Sequence, residues 1–283
     1  MSADQPAPGL PAPGRTAPGR GAQAPSVLAM VARQAPYWAT LYRRTWRGTA
    51  VLSFVQPWLY VAAMGVLLGA YIDESTANLN GAPTYLDFIA PGLLAGTAMQ
   101  VAVSEAMWPV MAAIKWDRTY HAMLATPLRV VDIMVGHLSY IFVRLVVTCV
   151  AFVVVLSLVG TLPTAGGALL ALLAALLTGM ALAAPVYAYS AGAENEQGFP
   201  LIYRLGVMPM FLLSGAFFPV WNLATPLEWL AKVTPLYHGV ELCRMAALGE
   251  WRLMALVHLA YLSALGAVGL WWGARRLGRR MVF

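Results

Sequence analysis

The chain has 283 residues, of which 60% are hydrophobic and only 11% charged, against about 25% charged in an ordinary soluble domain. With a mean hydropathy of +0.68, this excludes a water-soluble globular protein. The formal charge of +6 sits on basic residues grouped between long uncharged runs, a pattern of membrane orientation rather than of a nucleic-acid face.

Residues 1–25 are mostly Pro, Gly and Ala with Arg15 and Arg20, and they lack the apolar core of a secretory signal. They read as a disordered cytoplasmic tail. Over residues 26–47, Val27, Met30, Val31, Tyr37, Trp38, Leu41 and Tyr42 recur at helical spacing beside Arg33, Arg43, Arg44 and Arg47. This predicts an amphipathic helix in the membrane interface, interrupted at Pro36, whose arginines also fix topology.

Stretches without ionised groups place the spans, because a charge at the bilayer centre costs about 2.5 kcal/mol or more. Six transmembrane helices are predicted, at about 48–72, 88–114, 133–159, 168–189, 199–218 and 253–274. Glu105 is the one charge inside the second and Arg144 the one inside the third. Gly160, Pro163, Gly166 and Gly167 mark the turn before the fourth. The expected class is therefore an all-α polytopic membrane protein.

Orientation follows from Arg and Lys near the span ends. Arg33 to Arg47, then Lys115, Arg118 and Arg129, then Arg275, Arg276, Arg279 and Arg280 all belong on the cytoplasmic side. Both termini are thus expected inside. The first outer connection carries Asp73, Glu74 and Asp87 instead. The last, Pro219 to Arg252, is too long for a turn, and its Trp221, Leu223, Leu227, Trp229 and Leu230 suggest short helices resting in the outer leaflet.

Glu105 and Arg144 lie roughly 15 and 18 Å from the charges Lys115 and Asp132, counted at ~1.5 Å per residue. They are expected to pair across spans two and three, since an unpaired charge at that depth is costly. Glycines four apart, at 65 and 69, 92 and 96, and 269 and 273, suit close helix packing, either internal or at a dimer seam.

Much chemistry is missing from the pattern. The two lysines, Lys115 and Lys232, each follow an apolar residue, so no Gly-Lys-Ser/Thr phosphate loop can be drawn. His121, His137, His238 and His258 show no metal-ligand spacing, and Cys149 and Cys243 form no disulfide framework. No catalytic residues, metal or cofactor are assigned to the chain.

The segment KWDRTYHAMLATPLRVVDIMVGH, 115–137, resembles the stretch after the second span of ABC-2 type transporter permeases, through Arg118, Met123, Leu124, Thr126, Pro127, Leu128, Ile133 and Gly136. A second run, MFLLSGAFFP followed by TPLEWLAKVTPLYHGVELCR, is similar to that family's fifth-span end and outer segment. It includes Ser214, Gly215, Phe218 and Pro219, a candidate outer gate, and Pro226, Trp229, Leu230, Pro235, Tyr237 and Arg244. The resemblance covers residues 26–280 and looks most like the lipooligosaccharide and drug-exporting branch, although many relatives have Lys where this chain has His137.

The resemblance implies a homodimeric or pseudo-dimeric permease in a bacterial plasma or inner membrane, exporting an amphipathic drug, lipid or glycolipid. ATP and Mg would be bound by a separate ABC ATP-binding subunit, and membrane lipids would be the other partner; no nucleic acid is implied. The coupling segment would be a short cytoplasmic helix over residues 116–125, with Asp117 capping its start and Thr126 before Pro127 ending it. Trp116, Asp117, Arg118, Tyr120, His121, Met123 and Leu124 are its candidate residues, with Tyr120, Met123 and Leu124 forming the apolar docking face. Competing expectations are a proton-coupled secondary transporter using Glu105 and a lipid-processing membrane enzyme or assembly factor.

Overall fold

The computed structural model describes residues 26–68, 79 and 81–281. The expected tail at 1–25, the acidic residues Asp73 and Glu74 and the 65/69 glycine pair lie outside what it describes in side-chain detail. Among the described residues every regular element is helical.

Helix α1 runs over Val27–Tyr60 and continues as a π-helix over Val61–Leu68. Ser26 caps its start, accepting a hydrogen bond from the Ala29 amide. The expected break at Pro36 does not occur: Pro36 and Pro57 both lie inside the helix. A proline removes one backbone donor and clashes with the preceding turn. Contacts on either side of Pro36 hold α1 against α4, the helix Val130–Val159: Gln34 Nε2 donates to the Asp132 carbonyl at 2.9 Å, and Trp38 stacks on Tyr140. Gly136 makes room for Gln34, because a Cβ there would collide with its side-chain oxygen. The interfacial helix and the first span are therefore one element.

Helix α2, Tyr85–Met111 with a π-helical end Ala112–Trp116, is capped by Thr84. Its most apolar stretch is 78% buried inside the protein, against 22% for α9, Met254–Met281, so α2 is the axis of the bundle and α9 its flank. Helix α3 is Thr119–Leu124, and α5 is Ala165–Gly192. Helices α2, α4, α5 and α9 are long and apolar enough to cross a membrane.

The expected fifth span is shorter than predicted. Helix α6, Gly198–Leu213, has α-helical ends around a π-helical middle, Ile202–Val207, and falls short of the ~20 residues that cross a bilayer. It ends at Ser214, where Gly215 turns the chain at a φ of +80° that a side chain would strain. Of the short helices expected to rest in the outer leaflet, α7, Thr225–Val233, exposes Leu227, Trp229, Leu230 and Val233. Helix α8, Pro235–Leu248, departs from that expectation: Leu236, Val240, Leu242, Cys243 and Ala246 are all buried, so it packs into the bundle. Gly239 brings it onto Thr178 of α5 with no room for a Cβ.

The glycine pairs at 92/96 and 269/273 serve internal packing. A Cβ on Gly92 would sit 2.6 Å from the Ala216 backbone, and one on Gly96 would enter the Phe211 ring. A Cβ on Gly269 would lie 2.5 Å from the Pro185 nitrogen, which is backbone and cannot swing aside. Gly269→Ala is expected to separate α9 from α5 at a cost of about 1–3 kcal/mol, the usual range for overpacking, read as a lower thermal unfolding midpoint in detergent. An unchanged midpoint would show that α9 slides freely along α5.

Outside, α1 exposes Val51, Phe54, Val55, Trp58 and Leu59, and α9 exposes Leu256, Val257, Val268, Leu270 and Trp271. Apolar surface of that extent belongs against lipid rather than water. At the α3 end of α9, Arg275 lies over Trp271 and Arg276 over Trp272, with guanidinium carbons 4.0 and 5.1 Å from the ring centres, a pairing suited to a membrane interface.

Candidate functional site

Three helices each carry a polar stripe at helical spacing: Thr49, Ser53 and Gln56 on α1; Thr97, Gln100 and Ser104 on α2; Arg144 and Thr148 on α4. The bundle turns these stripes toward one another. They line a cleft of about 290 Å³ together with Glu105 and Tyr203. At its floor Arg144 Nη2 donates to Glu105 Oε1 at 2.6 Å, and Arg144 Nη1 donates to Thr49 Oγ1 at 2.6 Å. One turn away on α1 and α4, the Ser53 and Thr148 hydroxyls are 3.1 Å apart. The structure thus brings the two intramembrane charges into direct contact.

A second cleft, about 350 Å³, lies on the other side of this ion pair and shares Thr49, Glu105 and Arg144 with the first. Its remaining walls include Trp38, Thr45, Asp117, His137 and Tyr140. The Glu105–Arg144 pair therefore stands as a partition between two clefts, a more apolar one facing α3 and a more polar one nearer the middle of the bundle. The more polar chamber suits the polar part of a molecule whose apolar part stays outside.

The coupling segment differs from its expected form. Lys115 and Trp116 prolong α2, and the break falls at Asp117 and Arg118, the latter left-handed with φ 50°. Asp117 supplies no side-chain cap, and α3 begins only at Thr119. The expected end is close to that observed, with Thr126 Oγ1 donating to the Met123 carbonyl at 2.6 Å.

The expected apolar face is split. Tyr120 is fully buried and points inward, because its hydroxyl finds polar partners only in the bundle: His137 Nδ1 on α4 at 2.5 Å and the Tyr187 hydroxyl on α5 at 3.0 Å. Burial pushes the Tyr120 phenol well above its ordinary value, so it keeps its proton. Trp116, Asp117, Arg118 and His121 remain exposed, and Met123 and Leu124 are half-buried. Met123 helps line an apolar groove of about 540 Å³ between α1 and α3, with Met30, Tyr37, Ala122, Pro127 and Leu128 as further walls and Arg33 at its rim.

Around this end gather Lys115, Arg118, Arg129, Arg276 and Arg280. Lys115 pairs with Glu196 at 3.1 Å, and Arg280 donates to the carbonyls of Ala191 and Ala193 at the end of α5. The Glu196 carboxyl is held below its usual range, first by its own backbone N–H and then by Lys115.

At the opposite end, the expected outer-gate residues form a tight corner after α6. Ser214 is buried and donates to the Phe211 carbonyl at 3.1 Å; Pro219 is buried and Phe218 half-buried. What locks the corner is Arg244 of α8. It donates to the Gly215 carbonyl at 2.7 Å and to Glu241 at 2.6 Å, and its guanidinium lies 4.1 Å from the Phe88 ring centre on α2. Sequence reasoning named Arg244 without giving it this role, took Trp38 only as part of the amphipathic pattern and did not name Tyr187; Glu241 three residues before Arg244 was the available signal for an ion pair. Among the described residues, no three His, Cys, Asp or Glu side chains are grouped to hold a metal ion.

The family model for ABC-2 type transporter matches residues 27–248, from the start of α1 to the end of α8. The chain is similar to Nodulation protein J of Rhizobium leguminosarum bv. trifolii, 29% identical over 75% of this chain and 82% of that protein. It is also similar to Nodulation protein J of Rhizobium meliloti and of Sinorhizobium fredii, 26% and 28% identical, each over 87% of this chain and 94% of the relative.

Proposed function

The chain belongs to the ABC-2 type transporter family, and from that premise we propose that it is the permease of an ATP-driven exporter, working as a homodimer with a separate ATP-binding subunit on each protomer. It is a multi-pass membrane protein and a transport subunit; the ATP-binding partner is what the family implies. In this reading α1 and α6 complete six spans with the four long helices, α6 crossing with the help of the corner at Gly215. The α3 end is cytoplasmic, and so are both termini.

The observation that carries the proposal is the juxtaposition at the α3 end. The short helix α3 with exposed His121, entered through exposed Trp116 and Arg118, lies beside the apolar groove walled by Met123 and adjoins the second cleft through Thr119. A docking surface for a soluble subunit and a path for a polar headgroup are thus within one assembly. The gathering of Lys115, Arg118, Arg129, Arg276 and Arg280 supports the inward orientation.

The cargo is amphipathic, and its headgroup bears hydroxyl or amide groups. Support comes from the cleft walls, where Thr49, Ser53, Gln56, Thr97, Gln100 and Ser104 offer uncharged donors and acceptors while the one ion pair neutralises itself. That same pairing counts against Glu105 as an independent proton carrier.

Orientation is testable because both native cysteines are fully buried. Introduced singly, Asn222→Cys at the α7 end is expected to react with a membrane-impermeant maleimide on intact cells, and Ala125→Cys only after permeabilisation. The reverse pattern would place the arginine-rich end outside and overturn the proposal.

A further inference from the structure

Helix α3 has six residues, too few to hold a helical shape or a position by itself. It follows a left-handed residue, Arg118, and ends in the turn before Pro127, so its flanks do not splint it to the bundle. Within it only Tyr120 is fully buried. One side chain of the lever thus reaches two long helices, through His137 on α4 and Tyr187 on α5.

We propose that the chain His137–Tyr120–Tyr187 is the joint that carries movement of α3 into α4 and α5, with Tyr120 as its positioning residue; this rests on reading the protein as a permease driven by a separate ATPase. The Tyr120 hydroxyl has one proton and two neighbours, so it donates to one and accepts from the other. Breaking either bond strands a polar group in a buried site, and that penalty makes the three side chains move together. Apolar packing alone could slip; directional bonds resist it.

The joint also reaches the clefts. His137 and Arg144 are seven residues apart, two turns along the same face of α4 and roughly 10.5 Å by helical rise. Both line the cleft that the Glu105–Arg144 pair closes. A displacement of α3 that pulls His137 therefore tilts the helix that holds Arg144 against Glu105. On the other side of the imidazole, Trp38 of α1 packs with ring centres 4.8 Å apart, so α1 is drawn along.

The test uses the permease with its co-purifying ATPase subunit in lipid nanodiscs, and Ser104→Cys in the first cleft as a reporter of maleimide reactivity. With Tyr120 intact, ATP plus vanadate is expected to change the labelling rate of that reporter. Tyr120→Phe keeps the ring and loses both hydrogen bonds; it should retain ATPase binding and ATP hydrolysis while shrinking the nucleotide-dependent change by roughly tenfold or more, since each buried hydrogen bond is worth up to about that factor. Tyr187→Phe, at the far end of the same chain, should shrink it in the same direction.

A Tyr120→Phe complex whose reporter responds as the parent does would overturn the joint. So would loss of ATPase binding in step with the response, since that marks Tyr120 as a residue of fold alone. A parent complex that ignores nucleotide removes the ATP-driven reading itself, and the joint with it, an outcome distinct from failure of the variants.

Discussion

Glu105→Ala is expected to destabilise the protein by on the order of 2–4 kcal/mol, the range for removing one partner of a buried ion pair with some relief from water in the cleft. Arg144 keeps its Thr49 contact but loses its carboxylate partner. Arg144→Ala should cost less, because a stranded carboxylate can neutralise itself by binding a proton and a stranded guanidinium cannot release one. The asymmetry is the informative part. Thermal unfolding of the two single variants and the double variant gives the coupling directly, with the double variant expected to be more stable than Glu105→Ala. Equal losses in the two single variants, adding up in the double, would mean that the 2.6 Å contact contributes nothing.

The second large effect is expected at Arg244. Its guanidinium is almost wholly buried and holds Glu241, the Gly215 carbonyl and the Phe88 ring together. Arg244→Met keeps an unbranched stem but removes the guanidinium and so strands a carboxylate and a carbonyl, a loss of about 3 kcal/mol or more. Cys243, the neighbouring residue and fully buried, is a built-in reporter. If α8 loosens by that amount, Cys243 should react with thiol reagents on the order of a hundredfold faster, while Cys149 in α4 stays protected as the internal control. Cys243 remaining as unreactive as Cys149 would show that α8 is held by its apolar contacts alone.

What the sequence disclosed and what it withheld divide along physical lines. Long runs with no charge, or with one, disclosed α2, α4, α5 and α9, because the cost of an ionised group in the bilayer is large and local. The contact of Glu105 with Arg144 followed from equal depth on successive helices. The clefts were partly legible as well: Thr49, Ser53 and Gln56, or Thr97, Gln100 and Ser104, fall on one helical face each, although nothing local said that those faces meet.

Features set by tertiary contacts were not legible. Pro36 reads as a break, yet Gln34 and Trp38 tie both sides of it to α4. Tyr120 shares helical spacing with Met123 and so reads as part of a docking face; only His137 and Tyr187, distant in sequence, decide that it turns inward. Helix α8 carries Glu241 and Arg244 and reads as surface, but the two neutralise each other and let it pack inside. Asp117 is a favourable capping residue in the abstract; the continuation of α2 through Lys115 and Trp116 leaves it at the wrong place.

The central claim is that a separate ATPase drives this permease through its α3 end, and one measurement tests it most directly: the amount of nucleotide-binding subunit that co-purifies with the full chain, wild type against Met123→Glu. Met123 lines the α1–α3 groove and is not part of the buried joint. The account predicts a stoichiometric ATPase carrying a Gly-Lys-Ser/Thr phosphate loop on the wild type, and an affinity about thirtyfold lower on Met123→Glu, the ~2 kcal/mol typical of a lost interface anchor. A wild-type chain that comes out of the membrane without any such subunit, or equal ATPase occupancy on both proteins, would contradict it.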